Sequence, residues 1–258
     1  MKTHSFQAKA AAIFDFDGTL VNSFACRSLA HSAVCDILLA YLEQEGIESR
    51  KEKMLRLISQ IEKEMALRRE YDRTVWFSEA VSQYTGGRQK APYEVLDSAS
   101  LVYWNTVIAN TSVYPHVEEV LTSLRQQGLL IGLLSDTDGR KGMKSKRIEH
   151  SGLRRFFDAV VVAGEDTPET KPQKQPFVKE TELLSLQAED CVYIGDDPKV
   201  DVAGAKGLGM RTIVIRNPRI RFKRTLPQAD CIMKRESFGA IGERIFRLVE
   251  KSRDGAIS

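Results

Sequence analysis

Cysteine is scarce: Cys26, Cys35, Cys191 and Cys231 are the only four in 258 residues, and no two have C-x-x-C spacing. A disulfide scaffold is therefore excluded, a reducing compartment is expected, and the four side chains read as small buried hydrophobes. An excess of one charge is also lacking. The net charge of +3 gives no reason to expect nucleic acid or an anionic membrane as partner, which leaves a small metabolite. No stretch approaches the ~18 consecutive apolar residues of a membrane span. Residues 1–12 contain Lys2, His4, Gln7 and Lys9 and never build the apolar centre of a signal peptide, so the expected location is cytoplasmic. There is no internal repeat and no low-complexity tract. What is present, 42% hydrophobic and 28% charged residues, describes a globular protein able to bury a sizeable core. The length favours one large domain or a domain carrying an insertion.

Short apolar runs at Ala11–Phe14, Leu129–Leu134, Ala159–Ala163, Val192–Ile194, Thr212–Ile215 and Cys231–Met233 read as buried strands. Helical patterns alternate with them, at Val117–Leu124, Phe177–Leu186, Val202–Lys206 and Phe238–Glu250. This alternation predicts an α/β fold, a Rossmann-like doubly wound parallel sheet covered on both faces. From Val21 to Val113 the rhythm breaks. The rows Leu29-Ala33-Ile37-Tyr41 and Ala30-Val34-Leu38-Leu42, then Leu57, Ile58, Ile61 and Met65, then Leu101 to Ile108, each place apolar groups on one helix face. The expected organisation is a core domain of residues 1–20 and 114–258, with an all-helical cap at 21–113. Hinges are expected near Val21-Asn22-Ser23 and Thr111-Ser112-Val113, and Tyr114-Pro115 marks re-entry.

Asp15-Phe16-Asp17-Gly18-Thr19 follows the first strand directly. Carboxylates two residues apart at the carboxyl end of a strand lie where open α/β sheets bind ligands, and Gly18 allows a sharp turn. One can attack while the other handles protons. A lone D-x-D is ordinarily a turn whose Asp side chains satisfy local amides, so corroboration must come from elsewhere. It comes in chain order: Ser135 ends the second core strand, Lys171-Pro172 follows the third, and Gly195-Asp196-Asp197-Pro198-Lys199-Val200-Asp201 follows the fourth. Each alone has a plain structural reading, as a helix cap or a solvated loop. Together they bring a hydroxyl, a cation and more carboxylates to one sheet edge.

At these residues the chain resembles the haloacid dehalogenase superfamily of phosphotransferases: residues 13–20 match its first motif, Ser135 its second, Lys171 its third and residues 195–201 its fourth. The stretch Asp201 to Met210 is similar to the helix and turn of the phosphoglycolate-phosphatase-like branch, and the inserted helices take the position of its C1 cap. The resemblance implies a phosphatase acting on a small phosphorylated metabolite. Asp15 is then the nucleophile that becomes an aspartyl-phosphate, and Asp17 the general acid and base. Mg2+ is held by the Asp15 carboxylate, the Asp17 backbone carbonyl and Asp196. Asp197 and Asp201 act from behind these ligands, and Ser135 and Lys171 bind the phosphoryl group.

Two departures stand out. Asp136 occupies the position after Ser135 where Asn is frequent, so an extra charge either reaches the site or caps the next helix. The third motif reads Lys171-Pro172-Gln173-Lys174-Gln175-Pro176-Phe177, with its second Pro displaced; Lys171, which keeps the Pro and the Phe spacing, is preferred over Lys174. A dehalogenase would use Asp15 without needing Asp17 as an acid, a phosphomutase would share every core motif, and a non-catalytic binding protein would not need the full set. Gly204, Gly207 and Gly209 do not have dinucleotide-binding order. His31, His116 and His150 are scattered and suggest no metal site. The basic stretch Arg216, Arg219, Arg221, Lys223 and Arg224 reads as a solvated face or a contact for phosphorylated ligands.

Overall fold

The computed structural model describes residues 10–217 and 227–254, with side chains described through residue 250. Residues 1–9, with Lys2, His4, Gln7 and Lys9, and Arg219, Arg221, Lys223 and Arg224 of the basic stretch lie outside these described residues. The chain divides into two compact units, one of residues 1–22, 112–137 and 148–258, the other of residues 23–111 and 138–147.

The strands are β1 (Ala11–Phe14), β2 (Val21–Asn22), β3 (Ser112–Val113), β4 (Leu130–Asp136), β5 (Ala159–Ala163), β6 (Cys191–Gly195), β7 (Arg211–Ile215) and β8 (Cys231–Met233). The helices are α1 (Arg27–Gln44), α2 (Lys51–Arg68), α3 (Arg73–Thr85), α4 (Tyr93–Asn110), α5 (Val117–Gln126), α6 (Met143–His150), α7 (Lys174–Leu184), α8 (Ala203–Lys206) and α9 (Ile241–Asp254).

The first unit is built on a parallel six-stranded sheet in the order β5-β4-β1-β6-β7-β8. β1 is central, pairing Phe14 with Leu133 on one side and with Ile194 on the other. Strand side chains alternate between faces, so a buried central strand needs apolar residues at every position; all of Ala11 to Phe14 is buried. Ala12 and Phe14 pack with Val120, Leu124, Ile241 and Ile245 of α5 and α9. Ala11 and Ile13 pack with Phe177, Leu184 and Ala205 of α7 and α8. The doubly wound sheet read from the sequence is thus the fold, with strand edges moved by a residue or two.

Outside the sheet, β2 and β3 form an antiparallel ribbon, Val21 opposite Val113 and Asn22 opposite Ser112. The segments expected to be hinges are therefore hydrogen-bonded to each other.

The second unit is helical, α1 to α4 around a core that includes Val34, Leu38, Met54, Ile58, Phe77, Val81, Tyr103 and Trp104. α3 is absent from the sequence reading, although Asp72 accepts from the Thr74 amide at 2.8 Å as its N-cap. Trp76, Phe77, Ala80, Val81 and Tyr84 also give it a buried stripe at helical spacing. Residues 138–147, which the sequence reading left with the sheet, group here. Met143 joins the helical core, Asp138 is ion-paired in the interior with Lys144 at 2.9 Å and Arg147 at 3.0 Å, and Arg140 pairs with Asp97 of α4. Among the described residues no helix is long and apolar enough to cross a membrane. Cys26, Cys35, Cys191 and Cys231 are free thiols, the first three buried and Cys231 partly so.

Candidate active site

Side-chain alternation along β1 carries past Phe14 to Asp15, whose amide donates to the Ile194 carbonyl at 2.8 Å. The chain then reverses: the Leu20 and Val21 amides both donate to the Phe16 carbonyl, and Gly18, at φ +79, donates to the Val21 carbonyl at 2.9 Å. A positive φ of this kind favours glycine. The turn leaves Asp15 buried and Asp17 partly exposed.

Lys171 comes from the loop after β5 and is buried. Its ammonium donates to Asp15 Oδ1 at 2.8 Å, to Asp201 Oδ1 at 2.8 Å and to the Tyr193 hydroxyl at 3.0 Å. Tyr193, on β6, donates in turn to the Leu134 carbonyl at 3.0 Å. Its ring lies 5.2 Å from that of buried Phe177, and Gly204 makes room for Phe177, since a Cβ there would fall 2.2 Å from the ring. The Phe spacing of the third motif thus acts through Tyr193, seating the Lys171 head from below. Lys174 is exposed at the first position of α7.

The fourth motif folds into a wide turn at Pro198–Val202. Asp201 Oδ2 accepts from the amides of Asp196, at 3.0 Å, and Asp197, at 2.9 Å. Gly195 is required for this approach: a Cβ there would lie 2.2 Å from that same oxygen. The Asp197 side chain turns to the Lys199 amide at 2.9 Å as a helix-type cap, so its contribution to the cluster is its own amide. Asp196 Oδ2 accepts from Asn217 Nδ2 at 2.6 Å. Ser135 is buried, in register with Val162 of β5. Asp136 accepts from the Lys171 amide at 2.9 Å, which fixes the loop that delivers Lys171, and its charge adds to the carboxylates that hold the Lys171 ammonium charged.

The electrostatics are unbalanced. Carboxylate oxygens of Asp15, Asp196 and Asp201 lie within 4.8 Å of one another, all buried. Burial raises the pKa of Asp15; Lys171 opposes this, while the charges of Asp201 and Asp17 add to it. Asp196 is pushed well above the usual carboxylate range, first by burial and then by Asp15 and Asp201. For Lys171, burial works against the charged form, but Asp15 and Asp201 outweigh it and hold the ammonium well above its ordinary value. One lysine facing several carboxylates leaves negative charge that a hard divalent cation, which prefers oxygen ligands, would neutralise. The donor set fits such an ion. The carboxylates that could face it are those of Asp15, Asp196 and Asp201.

Residues 12–215 match the haloacid dehalogenase-like hydrolase family. The chain belongs to that family. This hydrolase is 25% identical over 209 residues to a ribulose-1,5-bisphosphate 5-phosphatase of Halopiger xanaduensis, covering 79% of this chain and 83% of the relative. It is 27% identical over 203 residues to a glyceraldehyde 3-phosphate phosphatase of Methanocaldococcus jannaschii, with the same coverage of 79% and 83%. The solved structure of a HAD phosphatase from Thermococcus onnurineus superposes with a TM-score of 0.63 at 25% identity, covering 90% of this chain and 97% of that one. Tyr193 and Asn217 are site residues that sequence reasoning did not assign. Tyr193 looked like one more apolar strand position, and nothing near Asn217 in the sequence marks it as a partner of Asp196.

Proposed function

We propose that this hydrolase is a Mg2+-dependent phosphatase of a small phosphorylated metabolite, working through an aspartyl-phosphate. The observation that carries the reading is the Lys171 ammonium within hydrogen-bond distance of Asp15, beside a cluster of further buried carboxylates. A dianionic phosphate could not approach these carboxylates unless cations offset them. The names of the two curated relatives, both phosphatases of small phosphorylated sugars or aldehydes, support the substrate class. Free cysteines fit the cytoplasmic setting. Selectivity for the organic part of the substrate is assigned to the helical unit, with residues 138–147 counted in it.

In the proposed reaction an Asp15 carboxylate oxygen attacks phosphorus, and the bond from phosphorus to the ester oxygen breaks. Asp17 donates its proton to that leaving oxygen, releasing the alcohol. Water then attacks the acyl phosphate, Asp17 takes its proton, and the bond from phosphorus to Asp15 breaks. Ser135 and Lys171 bind the phosphoryl oxygens, whose charge spreads in the transition state. Asp15, Asp196 and the Asp17 carbonyl would hold Mg2+, which when bound offsets negative charge and polarises the phosphoryl group.

The test is a panel of sugar phosphates, nucleotides, phosphoglycolate and aryl phosphates, with metal varied and organic products identified. EDTA should silence the enzyme and Mg2+ restore it, and Asp196→Ala should raise the Mg2+ requirement about tenfold or more. Full activity in metal-free buffer would contradict the reading, and a phosphoryl group moved within the substrate instead of released would mark a mutase. On the same panel Lys171→Ala should lower kcat/KM by about 10²-fold or more, the scale of losing a transition-state charge partner. Lys174→Ala should change it little. The opposite ranking would show that the altered third motif places Lys174 on the phosphate.

A further inference from the structure

Arg235 lies just after β8, at the start of a short 3-10 segment, Arg235–Ala240, more than 200 residues from the turn that carries Asp17. Two of its guanidinium nitrogens donate to successive carbonyls of that turn: one to Gly18, the other to Thr19 at 2.6 Å. Both carbonyls belong to buried residues. The guanidinium also stacks over the Tyr114 ring at 4.0 Å, and the Tyr114 amide donates to the Leu20 carbonyl at 2.9 Å. A planar fork with fixed donors can hold two neighbouring carbonyls at once and lie flat on an aromatic ring, which a flexible ammonium cannot do. The turn is thus held from inside by its own backbone bonds and from outside by one side chain.

We propose that Arg235 is a positioning residue for the reaction: it fixes the carbonyls of Gly18 and Thr19, the two residues after Asp17, and so sets where the Asp17 carboxyl delivers its proton. Proton transfer in a transition state needs the acid within hydrogen-bond reach of the departing oxygen. A small displacement originating outside the reacting groups can cost about 10²-fold. Arg235 touches neither substrate nor reacting atoms in this scheme; it acts through the turn. The proposal rests on the phosphatase reading, with Asp17 as the acid.

Leaving-group dependence separates this role from a merely structural one. Nitrophenolate departs with little help, whereas phenolate needs a proton from the acid. kcat/KM, which covers steps through departure of the leaving group, would be measured on 4-nitrophenyl phosphate and phenyl phosphate for the wild type, Arg235→Gln, Arg235→Lys and Asp17→Asn. Melting temperatures would be recorded in parallel. Arg235→Gln is expected to lose about tenfold more on phenyl phosphate than on 4-nitrophenyl phosphate, with Asp17→Asn showing the same bias more strongly. Arg235→Lys, which keeps the charge but not the fork, should show the bias in smaller measure, and it carries the comparison if the Gln variant does not fold. An equal loss on both esters, no loss, or wild-type behaviour of Arg235→Lys would overturn the proposal. An unbiased Asp17→Asn would remove the acid role of Asp17 and the Arg235 proposal with it. A biased Asp17→Asn beside an unbiased Arg235→Gln would overturn the Arg235 proposal alone.

Discussion

Asp15→Asn is expected to abolish steady-state turnover, by about 10⁴-fold or more on the scale seen when a catalytic nucleophile is removed, while the protein stays folded. An amide is a poor nucleophile and brings no charge to a cation. The fold should tolerate the change for a reason visible in the site. Burial disfavours the Asp15 charge, and the Asp201 and Asp17 charges oppose it further; Lys171 keeps Asp201 at 2.8 Å and the Tyr193 hydroxyl at 3.0 Å. Removing one of several crowded carboxylates relieves repulsion as well as losing an ion pair. The measurements are kcat on 4-nitrophenyl phosphate and the melting temperature. Near-normal turnover in the folded variant would sink the covalent route.

Glu180→Gln should flatten the dependence of stability on pH. Glu180 lies on α7, wholly buried, and neither carboxyl oxygen has a hydrogen-bond partner. The Leu133 backbone eases its charge without reaching hydrogen-bond geometry. Gly132 of β4 leaves the space, since a Cβ there would sit 2.3 Å from Glu180 Oε1. Burial, with a smaller push from Asp166, raises its pKa from 4.5 to about 8. A carboxyl raised in the folded state contributes fully below its unfolded value, so the stability is present below about pH 4.5 and is lost as pH rises through about 8. At 1.36 kcal/mol per unit, the wild type should lose about 2–3 kcal/mol relative to the variant between pH 6 and pH 9. For a chain of this size that is about 5–10 °C in melting temperature. The difference between wild type and Glu180→Gln at each pH isolates this group from the other buried acids. Parallel pH profiles would show that Glu180 keeps a partner for its charge.

The parts of this protein that could be read from the sequence are those whose signal is local. Ala11 to Phe14 followed by Asp15 announces a buried strand ending in chemistry, and Lys171-Pro172 with Phe177 announces a loop and its anchor. Gly195 and Asp201 read as a motif, and the structure supplies the cause, a carboxylate that occupies the place of a Cβ. What could not be read depends on chain segments far apart in sequence. Asn217 meets Asp196 across 21 residues, and Tyr193 meets Lys171 across 22; neither pair has a spacing that marks it. The choice between a site charge and a helix cap for Asp136 could not be made from the sequence, because the Lys171 amide it holds is 35 residues away. α3 is a different case. Its apolar stripe and Asp72 cap were legible, but the aromatic and β-branched residues from Val75 to Tyr84 lack the leucine-rich rows that make α1 obvious.

The grouping of residues 138–147 with the helices bears on how freely this protein can be recombined. A simple insertion enters and leaves its host once, and exchanging it needs one cassette. Here the chain passes between the sheet and the helical unit at four places, after residues 22, 111, 137 and 147. A chimaera that swapped only residues 23–111 would strand Met143 without the core it completes. It would also separate Arg140 from Asp97 and Arg147 from the Trp104 ring, 5.3 Å away. Domain exchange in this protein is therefore a two-segment problem, and drift in the helices is tied to drift in the ten residues that follow the strand bearing Ser135.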